Sequence, residues 1–237
     1  MRVTSGGDPV LLSVENVSKT HGWGTATVHA LRNVTLQVRM GEMVAVMGPS
    51  GSGKSTLLNV AGGLAAPTHG TVAVAGRMFS EQNEKQLARV RRRSVGYVFQ
   101  NFNLIPTLTA KENVALPLEM DGVRAPKISM LVREAIEAVG LAPLMDRFPD
   151  QMSGGQQQRI AIARALVGPR RLMLADEPTG ALDSEAAEAV MALLRQRVDA
   201  GAAALVVTHD PRYLAFADHA VQLHDGVLTQ RGPAGSS

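Results

Sequence analysis

The sequence predicts an α/β fold. Short apolar runs alternate along the chain with segments of helical period, the pattern of a parallel sheet covered by helices. One such run, Met43–Met47, feeds into the glycine-rich stretch GPSGSGKST and then into a helical pattern from Lys54. Between about 101 and 168 the signals are almost wholly helical, so a helical insertion is expected inside the α/β domain.

Taken in order, Val14–Val17 reads as a first strand, and Asn33–Val38 alternates as a half-buried one. Gly41-Glu42 makes a turn, and Met43–Met47 has the unbroken apolar character of a strand buried on both faces. A helix is expected over Lys54–Val60, a strand over Thr71–Ala75, a polar helix over 83–93 and a strand over Ser94–Phe99. The insertion contributes helical patterns at Thr109–Val114, Ser129–Val139, Leu141–Phe148 and Gln156–Val167. Leu172–Ala175 resumes a buried strand. Ser184–Val198 carries an apolar stripe at Ala187, Val190, Leu194 and Val198. The strand Ala203–Val207, a short helix, and strands at Ala220–Leu223 and Val227–Thr229 around Asp225-Gly226 complete the pattern. Residues 10–230 are expected to form one domain, with flexible tails at 1–9 and 231–237.

Composition narrows the chemistry. With 45% hydrophobic and 19% charged residues among 237, the chain has the makings of a folded core. It has no cysteine, which excludes disulfides, thiolate metal sites and cysteine catalysis. Aromatics at 3% argue against a base-stacking nucleic-acid surface. A net charge of +3 fits a membrane surface or a phosphate ligand and demands neither. Ser55–Gly76 carries no formal charge, but Gly62, Gly63, Pro67 and Gly70 break it as a spanning helix. Work at a membrane therefore calls for another segment to do the spanning.

The strongest motif is Gly48-Pro49-Ser50-Gly51-Ser52-Gly53-Lys54-Ser55-Thr56, which matches G-x-x-x-x-G-K-[ST] in full. Glycines let backbone N–H groups approach a polyphosphate closely, and the helix that follows adds its positive end. Lys54 supplies a charge for the outer phosphates, and the Ser55 hydroxyl can ligate Mg2+. No N-K-x-D guanine-reading tetrapeptide occurs, which favours ATP.

Other candidates stand at the ends of strands, where open parallel sheets hold their ligands. Asp176 closes Leu172–Ala175 and is placed to hold Mg2+ directly or through water. Glu177 is placed to orient or deprotonate an attacking water, although a solvated strand end would carry the same two acids. His209 follows Ala203–Val207 and can touch a γ-phosphate. Gln100 ends its strand with an amide able to reach Mg2+ or the water. Ser153-Gly154-Gly155-Gln156 precedes a helix and offers free N–H groups. By itself it reads first as a capped helix with a flexible entry and only second as a phosphate site.

Together these motifs resemble the ATP-binding cassette of the ABC transporter family, over roughly residues 10–230. GPSGSGKST resembles Walker A, Gln100 the Q-loop glutamine, and MSGGQ (152–156) the LSGGQ signature, with Met152 in place of leucine. LMLADE resembles Walker B with Glu177 as catalytic glutamate, Ala181-Leu182-Asp183 the D-loop, and His209 the switch histidine. ADEPTGALDS, SGGQQQRIAIARAL and LIPTLTAKENVALPLEM are similar to the branch of macrolide-exporter, lipoprotein-releasing and cell-division ATPases.

The resemblance implies a P-loop NTPase with a RecA-like core, an N-terminal antiparallel β subdomain and an inserted helical subdomain at about 101–168. It implies ATP and Mg2+ as ligands and a head-to-tail dimer in which Ser153, Gly154, Gly155 and Gln156 of one copy face the γ-phosphate held by the other, with Asp183 nearby. His21, or Trp23, stands where the family stacks an aromatic ring on adenine. The partners implied are a second cassette and an integral membrane permease, at the cytoplasmic face of the plasma (inner) membrane, with no nucleic acid. A regulatory complex of the cell-division kind, which moves no substrate, is the alternative. The basic run Arg89, Arg91, Arg92, Arg93 reads as a solvated helix face.

Overall fold

Two sheets organise the chain. β1 (Val10–His21) pairs antiparallel with β2 (Val28–Arg39) and with β4 (His69–Val74), and β4 turns back into the short β5 (Arg77–Met78). The second sheet orders its strands β10 (Val227–Pro233), β9 (His219–His224), β3 (Met43–Met47), β8 (Ala203–Val207), β7 (Leu172–Asp176) and β6 (Val95–Val98). All of its pairings are parallel except β9 with β10. The computed structural model describes residues 9–22, 27–180 and 182–233.

The central strands are buried on both faces, which is why their sequences read as unbroken apolar runs. Leu172, Leu174, Ala203, Leu205 and Val207 face one cluster, with the antiparallel sheet and α1 (Lys54–Ala61). Met173, Ala175, Ala204 and Val206 face the other, with α5 (Gly154–Leu166) and α6 (Ser184–Asp199). The alternation is the two-residue period of a strand. Each fully buried Val or Leu adds about 1.5–3 kcal/mol. Because β3, β6, β7 and β8 run parallel, the residues that follow them emerge along one edge.

Between 101 and 168 the described elements are helical: α3 (Ala110–Glu119), α4 (Ala125–Ala138) and α5, with two short 3-10 turns. Thr109 and Ser153 cap α3 and α5, each in a reciprocal box with the side chain three residues on. A helix over Leu141–Phe148, which the pattern suggests, does not form; only Ala142–Leu144 coils, as a 3-10 turn. The carbonyls of Met145 and Arg147 instead accept the N–H groups of Lys111 and Ala110, at 2.9 and 2.8 Å. They satisfy free donors at the start of α3 rather than continue a helix. β1 and β2 exceed the expected strands, and left-handed Asn16 and Asn33 sit within them where the register shifts.

The basic run is only partly a solvated face: Arg89 and Arg93 are exposed, whereas Arg91 and Arg92 are half-buried. It lies on α2 (Glu84–Ser94), where Arg93 Nε reaches both carboxylate oxygens of Asp121 at 2.8 and 2.7 Å. Arg91 donates to the Gly63 carbonyl just beyond α1, at 2.9 Å, and the Arg92 carbonyl accepts from Arg170 Nε at 2.9 Å. These bonds join α2 to segments far along the chain, a geometry that sequence spacing does not reveal.

Candidate nucleotide site

β3 ends in the loop 48–53, and Gly53 is the N-cap of α1 at φ +106. A side chain there would be strained and would run into the Ala30 carbonyl; a Cβ at Gly48 would run into that of Leu223. The loop can therefore lie this close to β2 and β9 only with glycine at both places. No side chain caps α1 and no acid occupies its first turn. Its leading N–H groups thus remain available to an anion. Lys54 Nζ donates to the carbonyls of Gly48 and Pro49 at 2.7 and 2.8 Å, curling over the loop.

The loop floors a cleft of about 1130 Å3. Gly48, Pro49, Ser50, Gly51, Gly53, Lys54, Ser55 and Thr56 line it, and so do Gln100, Asp176, Glu177 and His209 from the same sheet edge. Residues 27–30 and the hairpin turn 225–227 form the remaining wall. Glu177 Oε1 stands 2.9 Å from His209 Nδ1, while Glu177 Oε2 is buried without a partner among the described residues. Such an oxygen is an acceptor awaiting a donor. Behind the site, burial, aided by the Asp176 carboxylate, pushes the Tyr97 hydroxyl well above its usual pKa. It stays protonated and donates to Asn59 Oδ1 on α1 at 3.1 Å.

The donor set suits Mg2+ accompanying a phosphate ligand. Ser55, Asp176 and Gln100 offer hard oxygens in one cleft. Among the described residues no group of three or more His, Cys, Asp or Glu could form a metal cage. An ion here would therefore take much of its coordination from phosphate and water.

The remaining candidates lie elsewhere. Ser52 is buried, its Oγ lacks a partner among the described residues, and its carbonyl accepts from Gly226 N at 3.0 Å. His21 closes β1 exposed, directly opposite Val28 of the cleft wall. Trp23 is outside the described residues. Ser153–Gln156 are not among the cleft-lining residues. Ser153 Oγ accepts from Gln156 N at 3.3 Å, and Gln156 Oε1 accepts from Ser153 N at 2.9 Å. Asp183 caps α6, accepting from Ala186 N at 2.8 Å. The wall at residues 27–30 and the 225–227 turn is absent from the sequence reading. Asp225-Gly226 is visible there as a turn, but its seat on the phosphate loop depends on long-range pairing.

A glycine-rich loop leading into a helix at the carboxyl edge of a parallel sheet, facing an acid pair, defines the class of P-loop nucleoside triphosphatases. The sequence model of the ABC transporter family matches residues 31–180, and the chain belongs to that family as an ABC-type ATPase cassette. It is 45% identical over 221 residues to the ABC transporter ATP-binding protein MJ0796 of Methanocaldococcus jannaschii, covering 91% of this chain and 94% of that one. It is 46% identical over 224 residues to the macrolide export ATP-binding/permease protein MacB of Salmonella typhimurium, covering 94% of this chain. The chain spans only 35% of that relative's length.

The fold superposes with a TM-score of 0.87 on the dimeric, post-hydrolysis structure of the MJ0796 cassette bound to ADP and phosphate, at 41% identity over 94% of this chain and all of that one. Among the described residues no helix is long and apolar enough to cross a membrane.

Proposed function

We propose that the chain is the ATP-hydrolysing subunit of a membrane transporter, acting as a head-to-tail pair of cassettes and driving a separate transmembrane partner. Residues 10–230 would work as one domain, with about 101–168 as its helical subdomain, peripheral at the cytoplasmic face of the plasma (inner) membrane. The observation that carries this reading is the separation of the two phosphate motifs. The 48–56 loop floors the cleft, whereas Ser153 and Gly154 stand exposed at the start of α5, away from it. A second copy presenting that segment would complete the enclosure. The dimeric state of the MJ0796 cassette supports the same arrangement.

In this reading Lys54 leaves the Gly48 and Pro49 carbonyls for the outer phosphates, and the first turn of α1 receives their charge. Ser55, Asp176 and Gln100 would hold Mg2+, which neutralises developing phosphate charge when bound. Glu177 takes the proton of the attacking water, and His209 holds its carboxylate in place. Ser153, Gly154, Gly155 and Gln156 contact the γ-phosphate across the dimer, beside Asp183, and His21 or Trp23 stacks on the base. The products are ADP and phosphate, and the dimer then opens. The membrane-embedded partner chooses the cargo.

The test is to trap Glu177→Gln with Mg-ATP and measure its mass in solution. A dimer is expected; a species that stays monomeric with nucleotide bound would overturn the composite site.

A further inference from the structure

α5 opens at the segment 153–155, of which Ser153 and Gly154 are exposed, and its next turn reaches into the loop behind β7. Gln158 is 1% exposed there. Its Nε2 donates to the Pro178 carbonyl at 3.0 Å, while its Oε1 is buried without a partner among the described residues. An amide buried with its oxygen unpaired carries an uncompensated desolvation cost. What glutamine adds is one directed bond.

That bond falls on the residue next to Glu177. Glu177 sits at φ +48, a left-handed conformation that is costly for any residue with a side chain and persists only when held. On the strand side Glu177 N donates to the Val207 carbonyl at 3.0 Å. On the other, Gly180 N donates to the Glu177 carbonyl at 3.1 Å and closes a turn. The grip of Gln158 on Pro178 anchors that turn to α5. The helix meets the same loop again further on, since a Cβ at Gly155 would lie 3.2 Å from Leu182 Cδ2.

We propose that Gln158 is a positioning residue for hydrolysis. Through the Pro178 carbonyl it holds the turn at 177–180 and so sets where the Glu177 carboxylate stands in the cleft. Because α5 begins at the segment that would meet a second cassette, the same bond transmits the seating of that segment to Glu177. The inference rests on the reading of Glu177 as the group facing the attacking water.

Two variants of the full chain test it. Gln158→Leu keeps the bulk and removes the donor. Gln158→Glu keeps the shape, and burial raises its carboxyl pKa, so it donates to Pro178 while protonated and loses the bond as pH rises. For Gln158→Leu we expect kcat for ATP to fall by about 10- to 100-fold, as for a small misplacement of a reacting group. KM should stay within about twofold, measured well below the melting transition, which falls because the Pro178 carbonyl loses its donor. Gln158→Glu should show a loss of kcat with rising pH that the parent lacks. Parental kcat in Gln158→Leu, or a loss only in step with thermal stability and no new pH limb, would overturn the role. Glu177→Gln, assayed alongside, separates the two readings. If it hydrolyses ATP at the parental rate, the assignment of Glu177 fails and the positioning role with it. If it is inactive while Gln158→Leu is parental, only the positioning role fails.

Discussion

Glu177 Oε1 and His209 Nδ1 stand 2.9 Å apart, joining the ends of the adjacent strands β7 and β8 across the mouth of the cleft. With the proton on Nδ1, the imidazole donates to one carboxylate oxygen, and the second oxygen has no partner among the described residues. Replacing the acid by its amide keeps the shape and removes the base. Glu177→Gln should lower turnover by about 100- to 10,000-fold, while nucleotide affinity by titration calorimetry stays near that of the parent. Undiminished hydrolysis would count against the assignment.

Lys54 bonds two carbonyls of its own loop, bonds that the proposed mechanism exchanges for phosphate oxygens. Lys54→Ala removes charged hydrogen bonds worth about 1.5–3 kcal/mol. ATP affinity should fall by about 10- to 100-fold, a range set by the same energies. Thermal stability should change little.

Gly53→Ala places a side chain at φ +106, against the Ala30 carbonyl. Strain of this kind costs about 1–3 kcal/mol, and the loop must shift besides. The urea midpoint should drop and nucleotide binding should weaken with it. An unchanged midpoint would mean that β2 and the loop can part freely.

Asn113 is fully buried and makes four bonds to the loop that follows Gln100. Its Oδ1 accepts from Ile105 N, and its Nδ2 donates to the carbonyls of Ile105, Leu108 and Thr109. Asn113→Ala removes the side-chain partner of Ile105 N and of the Leu108 carbonyl, while the Ile105 and Thr109 carbonyls keep backbone donors, at about 1–3 kcal/mol. Denaturant unfolding should show the loss, and protease should cut between 101 and 109 faster than in the parent.

The cap of α3 should make part of the stability acid-labile. Thr109 donates from its hydroxyl and its backbone N–H to Glu112 Oε2, both at 2.7 Å, and these bonds hold the carboxyl below its ordinary 4.5. With the folded pKa depressed, the unfolded chain takes up the proton first as pH falls. The contribution is complete above pH 4.5 and is lost as pH falls through the lower folded value. Glu112→Gln keeps an acceptor without a titrating group. Its stability deficit relative to the parent should therefore shrink between about pH 6 and about pH 3. A deficit constant across that range would show that the charge contributes nothing.

What the sequence determined by itself was local. The phosphate loop, the caps at Thr109 and Ser153, and the buried strands β3, β7 and β8 are legible because each rests on backbone geometry or periodicity within a few residues. The ends of β6, β7 and β8 pointed to Gln100, Asp176, Glu177 and His209 for the same reason. The tertiary structure alone decided the rest. It paired the carbonyls of 145 and 147 with the start of α3 and turned Arg93 onto Asp121. It walled the cleft with residues 27–30 and seated Gln158 behind Glu177. Each of these contacts joins residues distant along the chain, and its partner is chosen by packing and by the need to satisfy buried polar groups, which no local pattern encodes.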